Sequence, residues 1–317
     1  MPRNIYDKKE LAELARANCF TSDNVEQVLR LYDILNCFSK DDIISSGMAL
    51  KGGTALNLFV FEKLPRISVD LDFDIIGMPG KEEYLAKWPE METHIREIVS
   101  TLGYEIDIPE RKRYGLTTFL LPYRTCAGGN AKIKLEINYQ SRVHVYEPVR
   151  KTVKSIFNDE VYGVVLLNPI EIIAEKINAL LERCKPRDVY DIYTLSISTI
   201  DYDRNLLRRC SVFHGAFHGM NAETIQGRID SIREMKFQLF KQQLIPMLRI
   251  RQGKFEMKLI QDAAADYVKD LFELTDKEEE YLNCYSAGYY KPELLYEGTE
   301  IGELPQHPKA KSQLQKL

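Results

Sequence analysis

Residues Ile67 to Ile76 alternate strictly. Ile67, Val69, Leu71, Phe73 and Ile75 fall on one face of an extended chain, and Ser68, Asp70, Asp72 and Asp74 on the other. A period of two marks a half-buried strand. Three aspartates in succession on one strand face make a poor edge. Like charges repel, aspartate is a weak strand former, and ordinary edges favour lysine. Asp70 and Asp72 stand about 7 Å apart at Cα by the ~3.3 Å rise per residue. At that spacing two carboxylates can converge on a hard divalent cation such as Mg²⁺, which takes oxygen ligands and keeps substrate phosphates in its shell. Asp74, one step further along, is expected to be structural.

Upstream, Met48-Ala49-Leu50 leads into Gly52-Gly53-Thr54 and the apolar stretch Ala55 to Phe61, a pattern of strand, glycine turn and helix. Glycines let backbone N–H groups approach a phosphate, and a following helix N-terminus favours the anion. Gly52, Gly53, Thr54 and Ser68 are therefore expected to bind nucleotide. A phosphate cradle beside a carboxylate pair is what nucleotidyl transfer needs, with two Mg²⁺ ions activating the attacking hydroxyl and stabilising the leaving pyrophosphate. Glu136, centred in the strand pattern Lys134-Leu135-Glu136-Ile137-Asn138, offers a third carboxylate as metal ligand or general base. A solvated strand face explains Glu136 equally well when it is taken alone.

Around this centre the chain divides into four stretches. Residues 7–46 have helical spacing, and 47–167 hold strands with a helix over 81–102. Residues 168–275 are helical, and 276–317 form an irregular wrap or tail. Strands are expected between Tyr104 and Tyr146 and over Val161–Leu167. Asn168, Pro169 and Glu171 suit the cap, first and third positions of a helix that Pro186 stops. The fold class is α+β, a mixed sheet with flanking helices followed by a helical C-terminal domain. His214 and His218 have the spacing of a helical zinc pair but lack the intervening glutamate and a third ligand.

The blocks Gly52-Gly53-Thr54-Ala55-Leu56 and Arg66-Ile67-Ser68-Val69-Asp70-Leu71-Asp72-Phe73-Asp74 resemble the first motif of the AbiEii/AbiGii-type nucleotidyltransferases. The resemblance continues through Glu175-Lys176-Ile177-Asn178-Ala179-Leu180, Arg183 and Arg187-Asp188-Val189-Tyr190-Asp191-Ile192-Tyr193. It resumes at Tyr290-Lys291-Pro292-Glu293-Leu294-Leu295 and His307-Pro308, so it spans about residues 48–310. The family's closing Trp-Lys is absent after Lys309-Ala310. The resemblance implies a polymerase-β-like nucleotidyltransferase core and the role of a bacterial toxin in toxin–antitoxin or abortive-infection systems, with a possible cognate antitoxin. It also implies that Lys176 lies beside the nucleotide phosphates and that Asp188 or Asp191 contributes to activity. Asp188 suits a helix N-cap as well, and Lys176 a salt bridge to the domain's own acids. If Lys176 contacts the triphosphate, its removal is expected to weaken NTP binding with little change in stability.

A net charge of −4 points to no polyanionic partner for the whole chain. Locally the balance differs. From Ile108 to Lys154 there are ten lysines and arginines, including Arg124, Lys132, Lys134, Arg142 and Lys151, against Glu110, Glu136 and Glu147. Basic strands beside an acidic metal site suit RNA positioned by its phosphates, a tRNA end above all since family members modify tRNA. A solvated outer sheet face is the bland explanation. No run of ~18 apolar residues suits a membrane span, and a charged N-terminus argues against secretion. Six scattered cysteines fit a reduced cytoplasm rather than a disulfide or zinc framework. The expected activity is Mg²⁺-dependent transfer of NMP from an NTP. The alternatives are an inactive fold that binds RNA or protein, and a metal-dependent phosphotransferase or nuclease.

Overall fold

A computed structural model of the chain describes residues 6–61, 63–106, 111–113, 115–157, 160–250 and 255–314, with the backbone alone for Arg111–Arg113 and Gln313. Glu110 and the first five residues lie outside the described set. The chain forms two compact units, Met1–Arg142 with Glu147–Leu167 and Met247–Arg251, and Val143–Tyr146 with Asn168–Pro246 and Gln252–Leu317.

The first unit is a seven-stranded mixed sheet. Its strands are β1 (Met48–Lys51), β2 (Asp70–Ile75), β3 (Arg111–Arg113), β4 (Leu116–Arg124), β5 (Asn130–Asn138), β6 (Val149–Lys154) and β7 (Glu160–Leu166), in the order β3-β4-β5-β2-β1-β7-β6. The central β2 runs antiparallel to β1 and parallel to β5. Its apolar face is buried as the alternation requires, with Leu71 and Ile75 fully inaccessible and the Phe73 ring tilted against Phe38 at 5.8 Å. The ladder begins at Asp70 rather than Ile67. The segment before it bonds outside the sheet, the Ile67 N–H to the Met247 carbonyl at 2.8 Å and Arg66 bridging Leu248.

Phe38 closes α2 (Ser22–Phe38), which follows α1 (Lys8–Asn18) and precedes α3 (Asp42–Gly47). Thr21 caps α2, its hydroxyl accepting from the Asn24 N–H. The helix buries Val25, Val28, Leu29, Leu31, Ile34 and Leu35 and packs on β7 and on α5 (Lys81–Thr101). A buried ion pair between Arg30 and Glu26 ties it to the β4–β5 turn. Glu26 accepts from the Cys126 N–H at 2.9 Å, and the Arg30 guanidinium lies 4.3 Å over the Tyr123 ring. These N-terminal helices are thus part of the sheet unit. Sequence periodicity missed β6, where only Val149 and Val153 are apolar and the strand sits at the sheet edge.

The second unit is helical: α6 (Pro169–Arg183), α7 (Pro186–Ser196), α8 (Arg204–Ala216), α9 (Ala222–Glu234), α10 (Phe237–Gln243), α11 (Met257–Leu271) and α12 (Asp276–Ser286). The Asn168 side chain caps α6 by accepting from the Ile170 N–H, with Pro169 opening the helix. The stretch after 275 does not begin irregularly. Thr275 and Glu278 form a reciprocal capping box that starts α12, a Thr-x-x-Glu signal present in the sequence. Only after it does the chain turn through short 3₁₀ segments to a last helix, Pro308–Leu314. That segment is core: Tyr296 and His307 are buried around Phe213, and the Tyr285 hydroxyl donates to the Ala310 carbonyl. His214 and His218 serve different partners, Glu171 at 3.1 Å and Glu182 at 3.3 Å. Among the described residues no helix is long and apolar enough to cross a membrane.

Candidate active site

The short β1 strand ends in the glycine turn, and α4 (Gly52–Ala55) begins there and continues as a π-helical segment, Leu56–Val60. Thr54 is fully buried and its hydroxyl donates to the Asp70 carbonyl, so its side chain locks the turn to β2. Gly52 has φ +70°, and a Cβ there would lie 2.5 Å from Asp72 Oδ2. Only glycine allows that backbone geometry together with the approach of the carboxylate. A Cβ at Gly53 would meet Ser68 Oγ at 2.9 Å and the Arg66 guanidinium at 3.2 Å. Ser68 and Arg66 therefore converge on the turn. Arg66 belonged to the recognised motif, yet its approach to Gly53 has no local sequence signal. We expect Gly52→Ala to lower stability by about 2 kcal/mol or more through left-handed strain and steric contact. Urea unfolding beside Gly53→Ala measures it, and an unchanged midpoint for Gly52→Ala would refute this account.

Strand register sets the rest of the sheet site. Lys51 pairs with Asp72, Asp72 with Glu136, and Glu136 with Thr118, giving one row of side chains across β1, β2, β5 and β4. Asp70 lies beside Lys134 in the next row. Asp70 and Asp72 are half-buried. Burial, then the charges of Asp70 and Glu136, push the Asp72 carboxyl up to about 6 against the opposing pull of Lys134 and Lys51. Glu136 accepts from Thr118 Oγ1 at 3.0 Å and is ion-paired with Lys134. Despite the burial of its ammonium, Lys134 has its pKa raised by Glu136, Asp70 and Asp72. Asp74 is fully buried with Oδ2 on Lys51 Nζ at 2.9 Å, so it holds a lysine of the row in place.

Lys176, Asp188 and Asp191 form a separate cluster in the helical unit. The Lys176 ammonium is buried, 3.1 Å from Asp188 Oδ1 and 3.1 Å from Asp191 Oδ2. Arg183 grips Asp188 with Nε at 2.8 Å and an Nη at 2.9 Å. Asp188 is not the cap of α7, a position held by Lys185; it sits in the first turn and points back to α6. Burial pushes its carboxyl up, but Lys176 and Arg183 outweigh this and hold it well below the usual carboxylate range. Glu171 behaves alike. Burial opposes ionisation, while the hydrogen bonds of His144 and His214 dominate and hold it low. A carboxylate lowered on folding stabilises above its unfolded pKa, and that stability disappears as pH falls through the folded value. Urea unfolding is therefore expected to weaken below about pH 4, with a smaller loss for Asp188→Asn; equal acid sensitivity in the variant would exclude Asp188 as a source.

The structure thus gathers Asp70, Asp72 and Glu136 on one sheet face beside Gly52, and Lys176, Asp188 and Asp191 in one ion cluster. Among the described residues no three His, Cys, Asp or Glu side chains are already drawn together closely enough to hold a metal. The donor chemistry nonetheless fits Mg²⁺: Asp70, Asp72 and Glu136 offer hard carboxylate oxygens on one sheet face.

The family match identifies the chain as a nucleotidyltransferase. The family model for the nucleotidyl transferase AbiEii toxin of type IV toxin–antitoxin systems matches residues 33–283, and the chain belongs to this family. Among solved structures, the nucleotidyltransferase toxin MenT4 from Mycobacterium tuberculosis H37Rv superposes with a TM-score of 0.58 at 15% identity, covering 97% of this chain and 98% of its own. The E. coli MS115-1 CdnC:HORMA-deltaN complex matches with a TM-score of 0.28 at 12% identity over 95% of this chain and 98% of that one. The STING-associated CdnE c-di-GMP synthase from Capnocytophaga granulosa gives 0.26 at 9% identity over 84% and 83%. No curated protein matches the chain in sequence.

Proposed function

We infer that this toxin transfers NMP from an NTP to an RNA acceptor, a tRNA end above all, with release of pyrophosphate. The observation that carries the reading is the carboxylate row abutting a turn where only glycine fits. Asp70, Asp72 and Glu136 would hold Mg²⁺ as a two-metal site, which when bound supplies Lewis-acid activation of the acceptor hydroxyl and charge stabilisation at the leaving pyrophosphate. Thr118 orients Glu136. The backbone of Gly52 and Gly53, with Ser68 beside it, would face the phosphates.

The acceptor oxygen attacks the α-phosphorus, the bond to the β-phosphate bridging oxygen breaks, and the hydroxyl proton leaves to the carboxylate row. For an RNA acceptor, Arg124, Lys132 and Lys154 are exposed phosphate contacts. Other basic groups are engaged: Lys151 donates to the Phe59 carbonyl and Arg142 lies over the Tyr84 ring. Membership of a type IV family leads us to propose a cognate antitoxin, a cytoplasmic setting and growth arrest in its absence. Incubation with each α-labelled NTP and total RNA tests the activity. Label carried into RNA and abolished by EDTA is the expected result; shortened RNA without label would replace transfer by nuclease action.

A further inference from the structure

We propose that Lys134 is the resident counter-cation of the carboxylate row, holding the divalent cation's place until that cation arrives with the nucleotide. The inference rests on the metal reading above and concerns how the site fills. A sheet face carrying Asp70, Asp72 and Glu136 needs positive charge to be stable without metal, and two lysines on that face supply it. They are not equivalent. Lys51 is tied at 2.9 Å to Asp74, which is fully buried, and its own side chain is only 16% exposed. Lys134 stands in register beside Asp70, on the same face as Glu136 two positions on, and its ammonium is ion-paired with Glu136. Its side chain is 38% exposed, so its head can withdraw into solvent.

One of the three carboxylates is already bound to the Lys134 ammonium. A divalent cation and an ammonium at the same oxygens repel each other strongly at low dielectric. Lys134 must therefore yield Glu136 when the cation enters, and its charge then lacks a partner. A triphosphate on the same face supplies that anion. Cation and nucleotide consequently bind cooperatively, each raising the affinity of the other by the same factor. The lysine makes the site weak for metal alone and strong for metal with nucleotide.

The test uses Mn²⁺ as the probe, titrated into the full chain by the loss of its free electron paramagnetic signal. Titrations are run alone and with a non-hydrolysable analogue of each of the four NTPs in turn. Lys134→Gln is expected to bind Mn²⁺ alone about tenfold more tightly than the wild type, and to lose most of the gain that the preferred analogue gives the wild type. Without metal the variant should melt lower, because the carboxylates lose their partner, and Mn²⁺ should restore it. Lys134→Arg, which keeps the charge, should behave as wild type. If Lys134→Gln binds Mn²⁺ no more tightly than wild type while wild type binds it, the counter-cation role is overturned and the metal site stands. If neither protein binds Mn²⁺ with or without any analogue, the metal site itself fails and the proposal with it.

Discussion

Asp72→Asn is expected to abolish nucleotidyl transfer while making the metal-free protein more stable. The substitution keeps volume and removes one charge from a row where burial, then the charges of Asp70 and Glu136, already push the Asp72 carboxyl up to about 6. Activity should fall by at least the ~10²–10³-fold typical of losing one group that stabilises developing charge. The stability change has a defined sign. An acid whose pKa is raised on folding binds extra protons in the native state between its usual value near 4 and about 6. Wild-type stability therefore declines as pH rises through that window, and the asparagine variant lacks this slope. At pH 7.5 the variant should melt higher, at about 2–4 °C for each kcal/mol of relieved repulsion. Asp70→Asn should lose activity to a similar degree. Near wild-type turnover in either variant would remove the carboxylate pair from the mechanism, and a lower melting temperature for Asp72→Asn would contradict the crowding.

The second large effect concerns Lys176, for which the sequence left open a phosphate contact and a salt bridge to the domain's own acids. Were it only a phosphate ligand, its removal would weaken NTP binding and leave stability alone. Its buried ammonium instead joins Asp188 on one side to Asp191 on the other. Lys176→Ala leaves buried carboxylates short of a cation, which costs about 3–5 kcal/mol when one partner of a buried pair is removed. Arg183 still holds Asp188. Lys176→Met combined with Asp188→Asn and Asp191→Asn should recover most of that loss, since the charge that remains on Arg183 is half exposed to solvent. Denaturant unfolding of the wild type, the alanine variant and the triple variant measures both statements. A loss under ~1 kcal/mol for Lys176→Ala would mean that the cluster is not structural.

The sequence by itself determined the elements whose signals are local. The alternation through Asp70 and Asp72 requires a strand with carboxylates on one face, the glycines a turn before it, and Asn168-Pro169 a helix start; each depends on neighbours a few residues apart. The ordered blocks around them identify the nucleotidyltransferase family and its α+β fold. Two elements were overlooked for different reasons. The Thr275–Glu278 capping box of α12 was readable in place, whereas β6 has too little apolar alternation and owes its existence to pairing with β7. Only the tertiary structure decided what the charged side chains meet. Register placed Lys51 against Asp72 and its ammonium on buried Asp74, Lys134 on Glu136, Thr118 on the far oxygen of Glu136, and Asp72 against Gly52. The packing of α6 and α7 gave Lys176 two acids and took Asp188 from capping. Most of these pairings join residues a dozen to two dozen sequence positions apart, on different strands or helices. A carboxylate's pattern of neighbours in the chain fixes its face, but its pKa and its partner depend on which strand or helix folds beside it.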